Sequence, residues 1–362
     1  MPGAIRGSFT SLFLYDVSEA ILLERLRQIL GLPPAGREPP FRQPAPQYVS
    51  FEQSPVMDQL PASELGGGQV TGFIAYYDYG VVSLRLDQPF DDDWEGVLAL
   101  TSRWMNTVEL EKQAAQVLEK HLRRASSALV KPYNERLTED YYVIHIREVA
   151  GLPEPSAADL IEECGDYIAQ IVRGEAAKFS PAERAEILES RMSYYYNDVA
   201  VVGWNAALVY DTPEGAATTF QLLEYANTQL LEFRFYDGVL TRLLSGVYRS
   251  LEKGTGILAS WRLGREAARL KTIELDVREL TERVDNAIKF LSDMFAARLY
   301  RIAARRIGVP DYRTLVEQKL RSADELYGFM MDRFHQGRGF ALELMVVVIL
   351  VIELVFLFRG TK

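Results

Sequence analysis

The stretch FIAYYDYGVVSLRL, residues 73–86, decides the fold class. Residues typical of strands lie on both sides of an Asp-Tyr-Gly turn at 78–80, which predicts a pair of β-strands. Residues 9–15 (FTSLFLY) predict an earlier strand, residues 141–146 a later one, and further strands fall within 192–210. Helical patterns separate these strands, so we expect an α+β protein.

Helix signals flank the predicted strands. Ser18 is expected to cap a helix that ends near Leu30, and the acidic run at 87–93 to open a longer helix that ends near Arg124. Apolar spacing predicts helices over 157–173 and 181–189, and a further helix is expected to start at 211–213.

The chain repeats one order of elements in residues 1–130 and 131–255. Each part is expected to contain a β-α-β-β-α series, which is the order of a ferredoxin-like unit. LRLDQP at 84–89 also resembles LVYDTP at 208–213. Asp at a helix N-cap followed by Pro in the first turn explains that likeness without common ancestry, so duplication stays open.

Residues 256–338 have a different pattern. Apolar side chains recur at alternating three- and four-residue steps from Leu270 to Leu291, as in a coiled-coil seam. Gly308 and Pro310 interrupt this series, and a second one follows from Val316 to Phe334. We therefore predict an antiparallel helical hairpin that acts as a stalk.

The segment 339–362 is predicted to be a C-terminal transmembrane anchor. A helix over 340–358 covers about 28 Å at ~1.5 Å per residue, close to the hydrocarbon thickness of a bilayer. The alternative is a helix buried in a soluble core. Because residues 1–15 do not resemble a secretion signal, we expect a tail-anchored protein whose bulk lies on the cytoplasmic or matrix-equivalent side.

Two acidic residues, Glu343 and Glu353, lie within the predicted span. An ionised carboxylate deep in lipid costs about 2.5–3.5 kcal/mol, which favours its burial against another helix. One hypothesis is that both residues mark a face for homo-oligomerisation. The alternative is that they lie near the two headgroup regions.

Composition limits the kinds of site. The chain has 40 Lys and Arg against 50 Asp and Glu, a formal charge of −10, so we do not expect direct sequence-specific DNA binding. Cys164 is the single cysteine, and His121, His145 and His335 have no metal-ligand spacing. We therefore predict no cofactor, no metal site and no catalytic residue.

A basic stripe on one predicted helix is a candidate binding surface. It consists of Arg298, Arg301, Arg305 and Arg306. Such a stripe can bind the phosphates of RNA or of anionic lipid headgroups. The alternative is that these arginines pair with carboxylates of neighbouring helices.

Five aspartates support an enzymatic alternative, a metal-dependent hydrolase or nuclease. They are Asp91, Asp92, Asp93, Asp198 and Asp211. Acids in the first turn of a helix are also what the helix dipole favours. Convergence of these acids in a pocket would favour the enzyme, whereas their scatter at helix starts would favour a scaffold.

Several segments resemble the required-for-meiotic-nuclear-division family, which is defined by a domain of unknown function and a C-terminal membrane helix. They are 77–82, 99–112, 211–214, 224–225, 231–232 and the two Glu-containing pairs at 342–343 and 352–353. Leu344 departs from the tryptophan of that family, and 256–308 has no match. The resemblance implies a mitochondrial-type inner-membrane protein that supports translation, with no catalytic residues.

These expectations combine into one functional hypothesis. The chain is predicted to be a membrane-anchored, oligomeric scaffold or recruitment protein without enzymatic activity, with a protein or ribonucleoprotein partner linked to translation. The hydrolase remains the alternative.

Overall fold

The computed structural model describes residues 3–33, 54–65, 67–151, 155–252, 268–279, 281–282 and 294–359. The chain divides into two compact units. Unit 1 consists of residues 1–233 and 284–311, and unit 2 of residues 234–283 and 312–362. The predicted boundaries at 130, 255 and 338 stay predictions.

The described strands are, in chain order, β1 Ile5–Asp16, β2 Ser18–Ile21, β3 Val56–Leu65, β4 Gly68–Tyr76, β5 Val81–Asp92, β6 Leu129–Pro132, β7 Thr138–Val149, β8 Arg191–Met192, β9 Val199–Val202 and β10 Ala206–Tyr210. Among the described residues, eight of them form one mixed sheet in the order β3-β4-β5-β1-β7-β10-β9-β8. β1 lies between β5 and β7 and is antiparallel to both. β7 and β10 are parallel, so the sheet confirms the α+β class.

The described helices are α1 Leu23–Leu30, α2 Trp94–Asn106, α3 Val108–Ala125, α4 Ala157–Arg173, α5 Pro181–Glu189, α6 Pro213–Glu252, α7 (helical residues 268–279 and 281–282), α8 Met294–Ile307 and α9 Val309–Arg359. The helices over 157–173 and 181–189 are confirmed. Ser156 and Asp159 form a capping box at the start of α4, and Ser180 caps α5 with Pro181 in its first turn.

One face of the sheet, the apolar face, carries the main hydrophobic core of unit 1. Phe9 of β1 pairs with Ile144 of β7, and Leu84 of β5 lies on the same face. They belong to the same core as Trp94 of α2 and Ile168 of α4. Strand residues that alternate in and out of this face bury their apolar side chains against helices α1 to α5.

The opposite face, the polar face, lies against α6. Its polar members come from β1, β5 and β7: Ser8, Thr10, Asp16, Ser83, Arg85, Asp87 and His145. The part of α6 within unit 1 also buries polar side chains, among them Glu224, Asn227 and Thr228. A two-faced sheet of this kind places polar groups inside the fold, where each of them requires a partner.

Unit 2 contains the C-terminal part of α6, α7 and most of α9. Leu270, Ile273 and Val277 of α7 are buried at the predicted seam spacing. Lys319 of α9 donates to the Asp237 carboxylate of α6 at 2.5 Å. The other seam positions of this segment, Leu280, Val284, Ala287 and Leu291, lie outside the described residues.

Two predicted helix starts are wrong. Ser18 lies in β2, and α1 begins later, at Leu23. Residues 87–92 belong to β5, and the helix begins only after Asp93, whose side chain accepts from the Gly96 N–H. Pairing with β1 continues to Asp92 and outweighs the local helix signal of the acidic run.

The prediction of a C-terminal membrane anchor is also wrong. Among the residues whose structure is described, no helix has the length and hydropathy that crossing a bilayer requires. Residues 340–358 lie within α9, where Glu343 and Glu353 limit the uninterrupted apolar run to residues 344–352. A run of this length covers about 14 Å, roughly half of a bilayer core.

The membrane partner, the tail-anchored topology and the single-pass localisation depended on that anchor and are corrected with it. Glu343 and Glu353 are both exposed on α9. The predicted oligomer face assumed that these two residues lie in a membrane-spanning helix, so we do not propose it again.

Candidate functional site

One candidate site is a cavity of about 480 Å³ between the polar face and α6. The sheet contributes polar groups from three adjacent strands, including Ser8, Asp87 and His145. From α6, Phe220 and Glu224 complete the lining. Cavities of this volume, with an apolar wall and a few convergent polar groups, are typical of small-molecule sites.

Arg85 and Asp87 form an internal ion pair in the cavity wall. They are two residues apart on β5 and therefore point to the same face. Arg85 Nε lies 3.1 Å from both carboxylate oxygens of Asp87, and the Thr10 hydroxyl donates to Asp87 from β1. The Arg85 guanidinium also lies over the rings of Phe220 and Phe73, 4.4 and 5.5 Å from their centroids. Both charges are thus already neutralised and held in place.

Arg147 reaches the cavity through a β-bulge. The register of β1 against β7 shifts between Arg6 and Gly7, so that Ile146 and Glu148 have partners on β1 and Arg147 does not. Its Nη2 donates to the Gly7 carbonyl oxygen at 3.1 Å. Bulges frequently re-aim a side chain next to a functional site, and here one presents an exposed guanidinium at the cavity wall.

His145 is buried in the polar face beside Phe220. Its Nε2 lies 2.9 Å from the Asp211 carbonyl oxygen. Because a carbonyl only accepts, Nε2 carries the proton. Burial lowers the pKa of His145, and the nearby Arg147 and Arg85 charges lower it further. The imidazole is therefore held neutral, with Nδ1 left as an acceptor.

Glu224 is the most deeply buried carboxylate of the cavity, with 5% of its surface exposed. Its Oε1 has no hydrogen-bond partner among the described residues. Burial raises the pKa of Glu224, and the Ser83 and Tyr77 hydroxyls and the Arg85 charge oppose that rise only in part. A buried, incompletely satisfied carboxyl is costly, which makes it a strong marker of a functional site.

A second cavity, of about 680 Å³, lies at the start of α6 and contains two of the sequence-predicted aspartates. The Asp198 carboxylate accepts from the backbone N–H groups of Tyr194 and Tyr195 at 2.7 and 3.0 Å. Asp211 accepts from the Thr212 N–H. Burial raises the pKa of Asp211, and the charge of Asp198 adds to the effect. Both carboxylates thus hold local backbone structure.

The other three aspartates of the hydrolase alternative have separate structural roles. Asp91 pairs with Arg6 at 2.8 Å, Asp92 accepts from the Asp93 N–H, and Asp93 caps α2. None of the five lines the cavity on the polar face. Within the described ranges, no group of three or more His, Cys, Asp and Glu side chains has a metal-binding arrangement.

The four arginines of the basic stripe lie on α8. Arg298, Arg301 and Arg305 are exposed, opposite the buried Leu299 and Ala303. Arg306 instead contacts α5, where it donates to the Glu186 backbone carbonyl and lies 3.6 Å from its carboxylate. Arg306 therefore contacts a neighbouring helix, as the alternative interpretation predicts. Phosphate binding by the other three arginines of the stripe stays a prediction.

The sequence reasoning missed the residues that form the cavity. His145 was considered as a metal ligand, and Arg147 and Glu224 were not singled out as site residues. The available signal was a buried-strand alternation that places Arg85, Asp87 and His145 at inward-facing positions.

The fold and the cavity define an α+β protein with a mixed sheet whose polar face lines a small-molecule-sized site. The chain belongs to the family described as Uncharacterized protein MJ0711, N-terminal domain, whose model matches residues 6–217. It is similar to the uncharacterized protein MJ0711 of Methanocaldococcus jannaschii, with 19% identity over 227 residues, 62% of this chain and 68% of that protein. No solved structure matches the chain.

This membership corrects the resemblance to the required-for-meiotic-nuclear-division family, which is wrong. The matching model covers β1 to β10 and the first residues of α6. The resemblance rested on short segments separated by long unmatched stretches and on an apolar C-terminal pattern. The expected ribonucleoprotein partner and the link to translation came from that resemblance and are not carried further.

Proposed function

We propose that unit 1 is a small-molecule-binding domain whose ligand occupies the cavity between the polar face and α6. The observation that carries the proposal is the convergence of Arg147, His145 and the Glu224 carboxyl on one solvent-accessible cavity of about 480 Å³. The Glu224 Oε1 is buried without a hydrogen-bond partner among the described residues, and a buried polar atom of this kind destabilises a fold. A bound ligand would satisfy it.

The proposal is tested by blocking the cavity in the full-length chain. Ala217 lies on α6 in the cavity wall, and Ala217→Trp fills the space from an exposed position. The matched control is Ala185→Trp, an exposed alanine on α5 that is remote from the lining. Thermal shifts are measured for each protein against a broad library of polar metabolites.

We expect at least one metabolite to stabilise the wild type and Ala185→Trp but not Ala217→Trp. Ligand at 100 times its Kd stabilises a fold by about 2.7 kcal/mol, which is readily detected as a rise in Tm. Stabilisation of Ala217→Trp equal to that of the wild type would contradict the proposed site.

A scaffold or recruitment role is a second proposal. It is supported by the placement of Asp93 and Asp211 at helix starts, which is the arrangement expected of a scaffold rather than of a carboxylate enzyme. A metal-dependent hydrolase built on the five aspartates has less support, because Asp91, Asp92 and Asp93 have separate contacts. Retained partner binding in Ala217→Trp would separate recruitment from ligand binding.

We also propose ferredoxin-like order for the second half of unit 1. It is supported by the parallel pairing of β7 with β10 and by β9 on the far side of β10. In the first half of unit 1, β1 and β5 are antiparallel, whereas β7 and β10 are parallel. The pairing of these strands therefore does not support a duplication. A coiled-coil hairpin within 256–338 stays a proposal, supported by the buried Leu270, Ile273 and Val277.

A further inference from the structure

The charges around the cavity on the polar face are not equally available to a ligand. Arg85 and Asp87 neutralise each other at 3.1 Å, and Thr10 also donates to Asp87. Phe73 and Phe220 flank the Arg85 guanidinium. Arg85 and Asp87 therefore form a pair without net charge, and we expect the other charged groups of the cavity to contribute more to charge selectivity.

Arg147 is the available cation of this wall. Within the described part of the chain its guanidinium makes one hydrogen bond, to the Gly7 carbonyl oxygen, and no ion pair with a carboxylate. A guanidinium has five N–H donors arranged in a planar fork that fits a carboxylate in bidentate fashion. The exposed position of Arg147 suits the capture of a ligand anion from solvent.

Glu224 is the available acid. Its Oε1 lacks a hydrogen-bond partner among the described residues, although the side chain is almost fully buried. The titratable and charged groups that act on it are Tyr77 in the turn after β4 and Arg85 and Asp87 on β5, together with the Ser83 hydroxyl. Asp87 opposes ionisation of Glu224, and Arg85 is already shared with Asp87. A cationic ligand group would therefore stabilise the Glu224 carboxylate.

We propose that the ligand is a small zwitterion of the amino-acid class, with its carboxylate on Arg147 and its ammonium group on Glu224. This inference rests on the proposed ligand-binding function of the same cavity. An available cation and an available acid in one cavity complement a molecule that carries both charges. The Phe73 and Phe220 rings supply the apolar wall for its carbon skeleton.

The binding mode predicts a proton signature. Burial raises the pKa of Glu224, and pairing with an ammonium group would lower this pKa again, so binding shifts the carboxyl towards its ionised form. Binding should therefore release protons to the buffer. Calorimetry in two buffers of different ionisation enthalpy measures that release directly.

The test uses the full-length chain and a panel of α- and ω-amino acids. Each hit is compared with its des-amino acid and its decarboxylated amine. We expect removal of the ammonium group to weaken binding at least about 30-fold, because truncating one partner of a buried charge pair costs 2–5 kcal/mol. Removal of the carboxylate, which pairs with the exposed Arg147, should weaken binding by a smaller factor. Wild type should release protons on binding the amino acid.

Two variants locate the charges. Glu224→Gln should weaken amino-acid binding at least about 30-fold, abolish proton release and leave binding of the des-amino acid within threefold of wild type. Arg147→Gln should weaken both compounds, and Arg147→Lys, which keeps the charge, should recover part of the loss. Circular dichroism confirms that each variant is folded.

The results of these experiments distinguish the proposed zwitterionic ligand from the proposed ligand-binding function. If des-amino acids bind as tightly as amino acids and Glu224→Gln has no selective effect, the zwitterion is wrong while ligand binding stands. The same holds if the metabolite library yields a cavity ligand that lacks one of the charges. If no compound binds in either experiment, the proposed function itself is wrong. The ligand comparison needs no variant, so it decides the question even if Glu224→Gln fails to fold.

Discussion

Phe9 and Thr10 are neighbours on β1, yet they lie on opposite faces of the sheet and in opposite surroundings. Phe9 is fully buried in the apolar face, with its ring 5.6 Å from that of Trp104 and 5.7 Å from that of Tyr142. Thr10 is equally buried, but it donates to a carboxylate on the polar face. The apolar face holds the fold together by packing, whereas the polar face depends on pairing and leaves the Glu224 carboxyl incompletely satisfied. Close packing thus dominates one side of this strand, and the proposed ligand site lies on the other side.

The largest expected effect comes from truncating the apolar face. Phe9→Ala should lower the free energy of unfolding by about 3–5 kcal/mol, because it removes a buried ring and leaves a cavity. The matched control is Ser8→Ala on the same strand, which should change it by less than about 0.5 kcal/mol. Urea denaturation measures both, and a loss below about 1 kcal/mol for Phe9→Ala would contradict the comparison.

A pH-dependent effect is expected from Asp16 on the polar face. Burial raises the pKa of Asp16 from 3.8 to about 8, and its Oδ2 has no hydrogen-bond partner among the described residues. Between these pH values the folded state binds more protons than the unfolded state, so stability falls as the pH rises. The loss from pH 5 to pH 7 should be about 2.5 kcal/mol, at ~1.36 kcal/mol per pH unit.

The check is urea denaturation of wild type and Asp16→Asn at several pH values. The asparagine variant should lose this part of the pH dependence, while any part due to Glu224 remains in both proteins. Parallel stability profiles for the two proteins would show that Asp16 does not retain its proton on folding.

A smaller effect is expected from Thr10. Thr10→Val keeps the shape of the side chain and removes the hydroxyl that donates to Asp87, so stability should fall by about 1–2 kcal/mol. Thr10→Ser is the control, since it retains the donor. Equal stability of Thr10→Val and wild type in thermal denaturation would mean that the Arg85 pairing alone satisfies Asp87.

The smallest of these effects concerns a helix that covers the apolar face. Asp93 caps α2 by accepting from the Gly96 N–H at 2.8 Å, and Asp93→Ala should cost about 1 kcal/mol. Asp93→Ser should restore most of the loss because serine is also a good cap. If Asp93 were instead a metal ligand, divalent cations would raise the Tm of wild type and not that of Asp93→Ala.

Local signals predicted the parts of the fold that depend on local contacts. Apolar spacing predicted α4 and α5, and Ser156, Ser180 and Pro181 fix where these helices begin, since capping is decided within one helical turn. Residues 87–92 misled the prediction because their structure is decided by long-range pairing with β1. The C-terminal pattern misled it in another way, because apolar character alone does not establish a membrane span.

The candidate site was less predictable than the fold. Inward-facing positions of Arg85 and Asp87 follow from strand alternation, but their pairing partner Thr10 lies on a strand more than 70 residues away in sequence. The bulge that presents Arg147 is a property of two paired strands. Glu224 lies in a long helix whose burial on the sheet cannot be read from helical spacing alone. The site therefore requires tertiary structure for its recognition.

The central position of β1 bears on how the protein is made. Ile5 pairs with Val149, so 144 further residues must be synthesised before β1 can complete its pairing with β7. At a synthesis rate of about 5–20 residues per second this takes roughly 7–30 s. During that interval a strand containing Phe9, Leu12 and Phe13 has unpaired backbone groups, which invites aggregation. Timely shielding of this nascent segment, by a chaperone or by fast pairing with β5, is thus expected to govern the yield of folded protein.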